Sequence, residues 1–161
     1  MEKVIVVATD IEEKLAKQNF NLPIIKTGVG AGNVIQKLKN LDPKTKIINI
    51  GFAGSNNLKV GSIYKVKNSR LYHPNVEYDE ITYNLGGEVD CYTSNDFVLQ
   101  TKLTEGVMFD MELYTICALG FEVESYKIVS DNLLLSDYEK VEEGKVDLKK
   151  CWKDVSKLIG D

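Results

Sequence analysis

The chain has 161 residues, 43% hydrophobic and 27% charged, with a formal net charge of −4 at neutral pH. This length suits one domain with a sizeable core, and the composition excludes a disordered or fibrous chain. The acidic balance argues against a dedicated nucleic-acid binder, and only one of the 20 basic residues, Arg70, is an arginine, the usual bidentate phosphate clamp.

The three cysteines (Cys91, Cys117, Cys151) are far apart in sequence and show no CxxC or zinc spacing. No metal and no cofactor is expected. The apolar run near the start is too short for a signal-peptide core, and no stretch could span a membrane. The expectation is a cytoplasmic protein with no membrane partner.

Val4 to Ala8 is an unbroken apolar run, which predicts a buried central strand. Thr9-Asp10-Ile11-Glu12-Glu13 follows. Asp10 with Glu13 three residues on has a capping-box pattern, and the helix should run to about Gln18. A short strand at 24–26 leads into Thr27-Gly28-Val29-Gly30-Ala31-Gly32-Asn33 and a helix through about Lys39. This layout brings backbone N–H groups toward an anion. Asn33 stands where a dinucleotide fingerprint needs its third glycine, so a tight turn with close packing explains the loop equally well.

Residues 46–50 predict a strand that opens into a small-residue loop, Gly51-Phe52-Ala53-Gly54-Ser55. A turn at 56–57 precedes an alternating strand at 60–66. Residues 69–92 read as β-rich and irregular, with Tyr72-His73 in the middle and a turn at Gly86-Gly87. A strand at 89–93 exits through Ser94-Asn95-Asp96-Phe97-Val98. Near the C-terminus Leu148, Cys151, Trp152, Val155, Leu158 and Ile159 have the spacing of an amphipathic helix.

The most informative stretch is 107–132. An apolar run (Val107 to Phe109) meets Asp110, Met111 and Glu112. About one helix follows, stopped by Gly120. A second apolar run, Tyr126 to Val129, delivers Ser130-Asp131. Two strand ends thus carry carboxylates, and in a parallel sheet both would lie on the same side. Five or six strands mixed with three or four helices give an α/β sheet, whose sites gather at the carboxyl ends of strands.

Several motifs in order carry a resemblance: Val-Val-Ala-Thr-Asp-Ile-Glu-Glu (6–13), Thr-Gly-Val-Gly (27–30), Asn-Ile-Gly-Phe-Ala-Gly (49–54), Val-Gly-Ser-Ile (60–63), Tyr-His (72–73), Asn-Asp-Phe-Val (95–98), Asp-Met-Glu (110–112) and Val-Ser-Asp (129–131). Together they resemble the nucleoside phosphorylase and nucleosidase superfamily, in particular its 5′-methylthioadenosine/S-adenosylhomocysteine nucleosidase branch. The resemblance implies one α/β domain, a three-layer sandwich around a mixed, partly closed β-sheet, and a homodimer. It implies hydrolysis of a purine–ribose N-glycosidic bond in a small-molecule nucleoside, with phosphorolysis or non-catalytic nucleoside binding as alternatives.

By match to the family's motifs, Glu12 would position or activate the attacking water, and Glu112 would bond the ribose hydroxyls over Met111. Phe97 would stack on the base. Asp131, oriented by Ser130, would protonate the purine. Phe52 and Gly54 would line the anion or water pocket. Phe52 stands where the family commonly has a small hydroxyl residue, and a bulky ring there would shrink a phosphate site. The sequence is shorter than typical members, with segments abbreviated before residue 27, between 97 and 107, and after 131.

The chemistry of these residues is coherent. An oxocarbenium-like transition state favours anions near the sugar. Asp131 needs a raised pKa to act as an acid, which burial and a charged Glu112 would supply, while the helix after the N-cap Asp110 would help keep Glu112 charged. Each group also has a structural alternative. Glu12 could serve only the helix dipole, with Glu13 the functional acid. Asp131 could cap a helix, Phe97 could belong to the core, and His73 could be a surface residue.

Overall fold

The computed structural model describes residues 2–72, 81–98, 106–142 and 147–160. Tyr72 is described, whereas His73 lies outside these residues. In chain order the elements are β1 (Lys3–Val7), α1 (Asp10–Asn19), β2 (Ile24–Lys26), α2 (Ala31–Leu38), β3 (Lys46–Gly54), β4 (Ile63–Leu71), β5 (Tyr83–Asn84), β6 (Val89–Thr93), β7 (Val107–Asp110), α3 (Leu113–Ala118), β8 (Glu122–Asp131), α4 (Leu135–Glu142) and α5 (Lys149–Ile159).

Alternation along the central strands splits the core into two layers. Ile5, Val7, Ile48, Ile50 and Ile128 face one side and pack against Leu15 and Ala16 of α1 and Trp152 and Val155 of α5. Val6, Ile47 and Val129 face the other side, against Val34 and Leu38 of α2 and Leu113 and Ile116 of α3. The result is the expected three-layer sandwich around a mixed sheet.

The sheet closes on part of its length. β3 pairs β8, β8 pairs β4, β4 pairs β6, β6 pairs β7, and β7 returns to β3. β1 and β2 extend from β3 as an open parallel wing. One edge of β3 is therefore shared between two neighbours. β1 pairs with it as far as Val6↔Asn49, and β7 joins it at Gly54↔Phe109. Between these contacts lies a gap in the ladder. Backbone donors in such a gap need another partner, because an unpaired buried N–H is costly.

Four expectations change here. The glycine-containing stretch 51–54 is not a loop but the second half of a nine-residue strand, paired with β8 throughout. The first helix is capped by Thr9, with Glu12 rather than Glu13 completing the capping box. The strand expected over 60–66 runs instead from Ile63 to Leu71. Finally, β7 and β8 are neither neighbours nor parallel, since β3 is antiparallel to β7 and parallel to β8. Glu112 and Asp131 still reach one cleft, because both strands converge on Gly54 of β3 from opposite edges.

Candidate active site

The gap in the β3 edge is where Glu12 sits. The Thr9 side chain accepts from the Glu12 N–H at 3.3 Å, and Glu12 Oε1 accepts from the N–H groups of Thr9 (3.2 Å) and Ala8 (2.9 Å). Glu12 Oε2 accepts from the Phe52 N–H at 2.8 Å, satisfying the donor left free between β1 and β7. Gly51 is required by this approach: a Cβ there would lie 2.9 Å from Glu12 Oε2 and 3.4 Å from Lys127 Nζ. Burial pushes the Glu12 carboxyl above its ordinary range, opposed chiefly by the Phe52 hydrogen bond.

Phe52 presents its backbone to Glu12, while its ring packs edge-on against Trp152 at 5.8 Å. The bulky side chain thus belongs largely to the core, although Phe52 also lines the cleft. Gly54 is the second close approach. A Cβ there would fall 2.8 Å from Asp131 Oδ2 and 2.9 Å from Leu133 Cδ2.

Asp131 ends β8 and is buried. The Ser130 hydroxyl donates to its Oδ1 at 2.7 Å, and the Leu133 N–H donates to its Oδ2 at 3.0 Å. The turn that aims this N–H places Leu133 at φ 66°, a left-handed conformation that leucine rarely adopts. Asn132 ties the turn down by donating to the carbonyls of Ser55 (2.8 Å) and Leu58 (2.9 Å). Burial raises the Asp131 pKa, and the Ser130 bond works against it. The residual charge effect comes from Asp137, not from Glu112 as the sequence suggested.

Glu112 stands at the start of α3. Asp110 is not the N-cap residue that the sequence suggested, and the Glu112 carboxyl is harder to ionise than usual rather than kept charged by the helix. Glu112 itself occupies the N-cap position, and the Asp110 carboxylate supplies the cap by accepting from the Leu113 N–H at 2.8 Å. Glu112 Oε2 accepts from the Gly30 N–H at 2.9 Å, which gives the glycine loop a partner. Burial, then the charge of Asp110, pushes the Glu112 pKa up to about 8. The group is therefore harder to ionise than an ordinary glutamate.

Sequence reasoning missed Lys127. It was absorbed into an apolar run, although a lysine between Tyr126 and Ile128 in a buried strand is itself a signal. Its ammonium is only 2% exposed and lies 3.1 Å from Asp110 Oδ2. Burial would depress its pKa, but the Asp110 charge, together with smaller contributions from Cys91, Glu112 and Glu12, holds it above the ordinary lysine range.

Glu12, Phe52, Gly54, Phe97, Met111, Glu112, Ser130 and Asp131 line one cleft of about 240 Å³. All eight residues singled out in the sequence are thus brought together. Phe97 lies at one end, its ring tilted against Tyr138 at 5.5 Å. Ala8, Thr9 and Val29 also line it. Among the described residues no group of His, Cys, Asp and Glu is placed to hold a metal, and no helix is long and apolar enough to cross a membrane.

No protein-family model matches the chain, and no curated protein does. Solved structures do. A variant of MTAN from Chlamydia trachomatis superposes with a TM-score of 0.76 at 15% identity, over 99% of this chain and 97% of that one. The chain has the nucleosidase fold. MTAN from Helicobacter pylori, in a variant with 5′-methylthioadenosine in its active site, gives a TM-score of 0.70 at 12% identity, over 99% and 96% of the two chains. Futalosine hydrolase of Helicobacter pylori gives 0.69 at 13%, over 99% and 96%. This fold accounts for the partly closed sheet and for a cleft at the converging ends of β1, β3, β7 and β8.

Proposed function

We propose that this cleft hydrolyses the N-glycosidic bond of a purine nucleoside of the 5′-methylthioadenosine type. The observation that carries the reading is the convergence of three buried carboxyl groups, Glu12, Glu112 and Asp131, from three separate chain segments on one cleft. Related folds with 5′-methylthioadenosine or adenine bound support the choice of substrate.

In this reaction Phe97 stacks on the base and Glu112 meets the ribose hydroxyls, with Met111 beneath the sugar. A protonated Glu112 offers one O–H donor and one acceptor, which suits a pair of hydroxyls that each donate and accept. Asp131 gives its proton to purine N7. The C1′–N9 bond breaks with its electron pair moving into the base, and positive charge develops on the sugar. Water adds to C1′ and loses a proton to Glu12. Afterwards Asp131 regains a proton and Glu12 releases one, so the site is restored. Ser130 keeps the Asp131 proton aimed, since its own hydroxyl can turn toward the Ala53 carbonyl at 3.5 Å when Asp131 is protonated.

The lining favours water over phosphate as nucleophile. Glu12, Asp110, Glu112 and Asp131 face the cleft, and the one buried cation among the described residues, Lys127, is already committed to Asp110. A phosphate dianion would find no lysine or arginine side chain among the described residues of the lining to balance its charge. The same reading includes a homodimer, for which the exposed Val29 and Ile35 offer an apolar surface. The test is base release from a nucleoside panel with and without phosphate. Free base without phosphate is expected. Strict dependence on phosphate, or no release of base from any member, would overturn the proposal.

A further inference from the structure

The buried centre between the cleft and the core holds a group that the reaction above leaves without a task. Asp110 is enclosed by four donors from three segments. The Thr93 hydroxyl donates to Oδ1 at 2.5 Å, the Leu113 N–H donates to Oδ2 at 2.8 Å, and the Lys127 ammonium lies 3.1 Å from Oδ2. The Glu112 N–H approaches the same oxygen at 3.4 Å. Thr93 is fixed in turn, accepting from the Tyr114 N–H at 3.0 Å. With its lone pairs so occupied, Asp110 has little capacity left to bond a ligand.

We propose that Asp110 is a positioning residue, the anchor that holds the Lys127 ammonium away from Glu12 and fixes the start of α3 under Glu112. It rests on the nucleosidase reading only for its effect on turnover. The geometry is specific on this point. Lys127 Nζ and Glu12 Oε2 flank the same spot beside Gly51, 3.4 and 2.9 Å from where a Cβ would lie, yet the ammonium makes its ion pair with Asp110. Without the Asp110 charge, a buried ammonium would turn to the nearest remaining acids. Those are Glu12 on α1 and Glu112 at the head of α3. Pairing with Glu12 would quench it as a base. Pairing with Glu112, together with the loss of the Asp110 charge, would make Glu112 easier to ionise.

The groups that bear on Glu112 are Asp110 from β7, Lys127 from β8, Glu12 from α1 and the Gly30 N–H from the glycine loop. The Asp110→Asn variant keeps the shape and an acceptor for α3 but loses the charge. The carboxyl titration of Glu112, followed by NMR, should move down from about 8 by at least about one pH unit. For the nucleosidase reaction kcat should fall at least about tenfold, with KM within about threefold of the parent. An unmoved Glu112 titration overturns the proposal, whatever the activity. If the parent protein releases no base, the titration alone decides, and the nucleosidase reading fails separately. Should Asp110→Asn not fold, Thr93→Val and Thr93→Ser replace it. The valine should lower both kcat and the Glu112 titration midpoint, and the serine should restore both. Indistinguishable valine and serine variants would sink the idea.

Discussion

The β3–β8 ladder is one continuous parallel pair, but its two halves are built on different principles. In the first half, Lys46 to Ile50 against Glu122 to Tyr126, the buried side chains are chiefly aliphatic, and charge stays toward the edge, as in the Lys46–Glu124 pair at 3.1 Å. In the second half, Gly51 to Gly54 against Lys127 to Asp131, glycines replace side chains so that Glu12 and Asp131 can press against the backbone. A buried ammonium stands among the carboxylates. The first half is stabilised by transfer of apolar surface from water. The second half spends part of that stability holding ionisable groups where they would not otherwise sit, which is the arrangement catalysis needs.

This contrast can be broken at several points. The largest effect should come from Asp131→Asn, which removes the acid but keeps the shape. Base release should drop roughly 10²–10⁴-fold, with the thermal unfolding midpoint little changed. A fully active variant would remove Asp131 from its role. In the other half, Ile48→Ala deletes a side chain that is 1% exposed. It should cost about 2–5 kcal/mol in denaturant unfolding while leaving turnover per folded molecule near the parent value.

Gly54→Ala tests the seam between site and sheet. The new methyl would crowd Asp131 Oδ2 and Leu133. A loss of about 1–3 kcal/mol is expected with slower base release, and full activity would show that Asp131 can shift without consequence.

The pH dependence of stability should also follow the second half. Glu12, Glu112 and Asp131 all have pKa values raised by burial, Glu112 to about 8. Their contribution is complete below the ordinary carboxyl range and fades as pH rises toward about 8, because ionising them in the fold is costly. Urea midpoints should therefore be higher near pH 5 than near pH 9, on the order of the Glu112 titration, and Glu112→Gln should flatten the difference. A profile equally steep in that variant would assign the effect elsewhere. The smallest effect belongs to the edge. Lys46→Ala, which breaks partly exposed pairs with Glu122 and Glu124, should change stability by less than about 1 kcal/mol.

Much of the first half was legible from residues 4–8 and 46–50 and from the apolar spacing of the last helix, since burial patterns are written locally. The candidate site was legible as a set of motifs, and all eight residues chosen on that basis face one cleft. What misled was local grammar. Glycines at 51 and 54 suggested a loop, whereas here they make room for carboxylates within a strand. Asp10 and Glu13 matched a capping box as well as Thr9 and Glu12 do, and only the hydrogen bonds that Thr9 and Glu12 make in the fold separate the two.

By itself, then, the sequence determined the alternating layers, the helix faces and the acids carried at strand ends. These depend on the period of side chains along one segment, and that period is a local property. The tertiary structure decided which acids would share a site, and in which protonation state. That depended on β1 and β7 dividing one edge of β3, on Lys127 reaching Asp110, and on the Gly30 N–H reaching Glu112. Burial and charge proximity set a pKa, and both are properties of the assembled surroundings rather than of any segment of the chain.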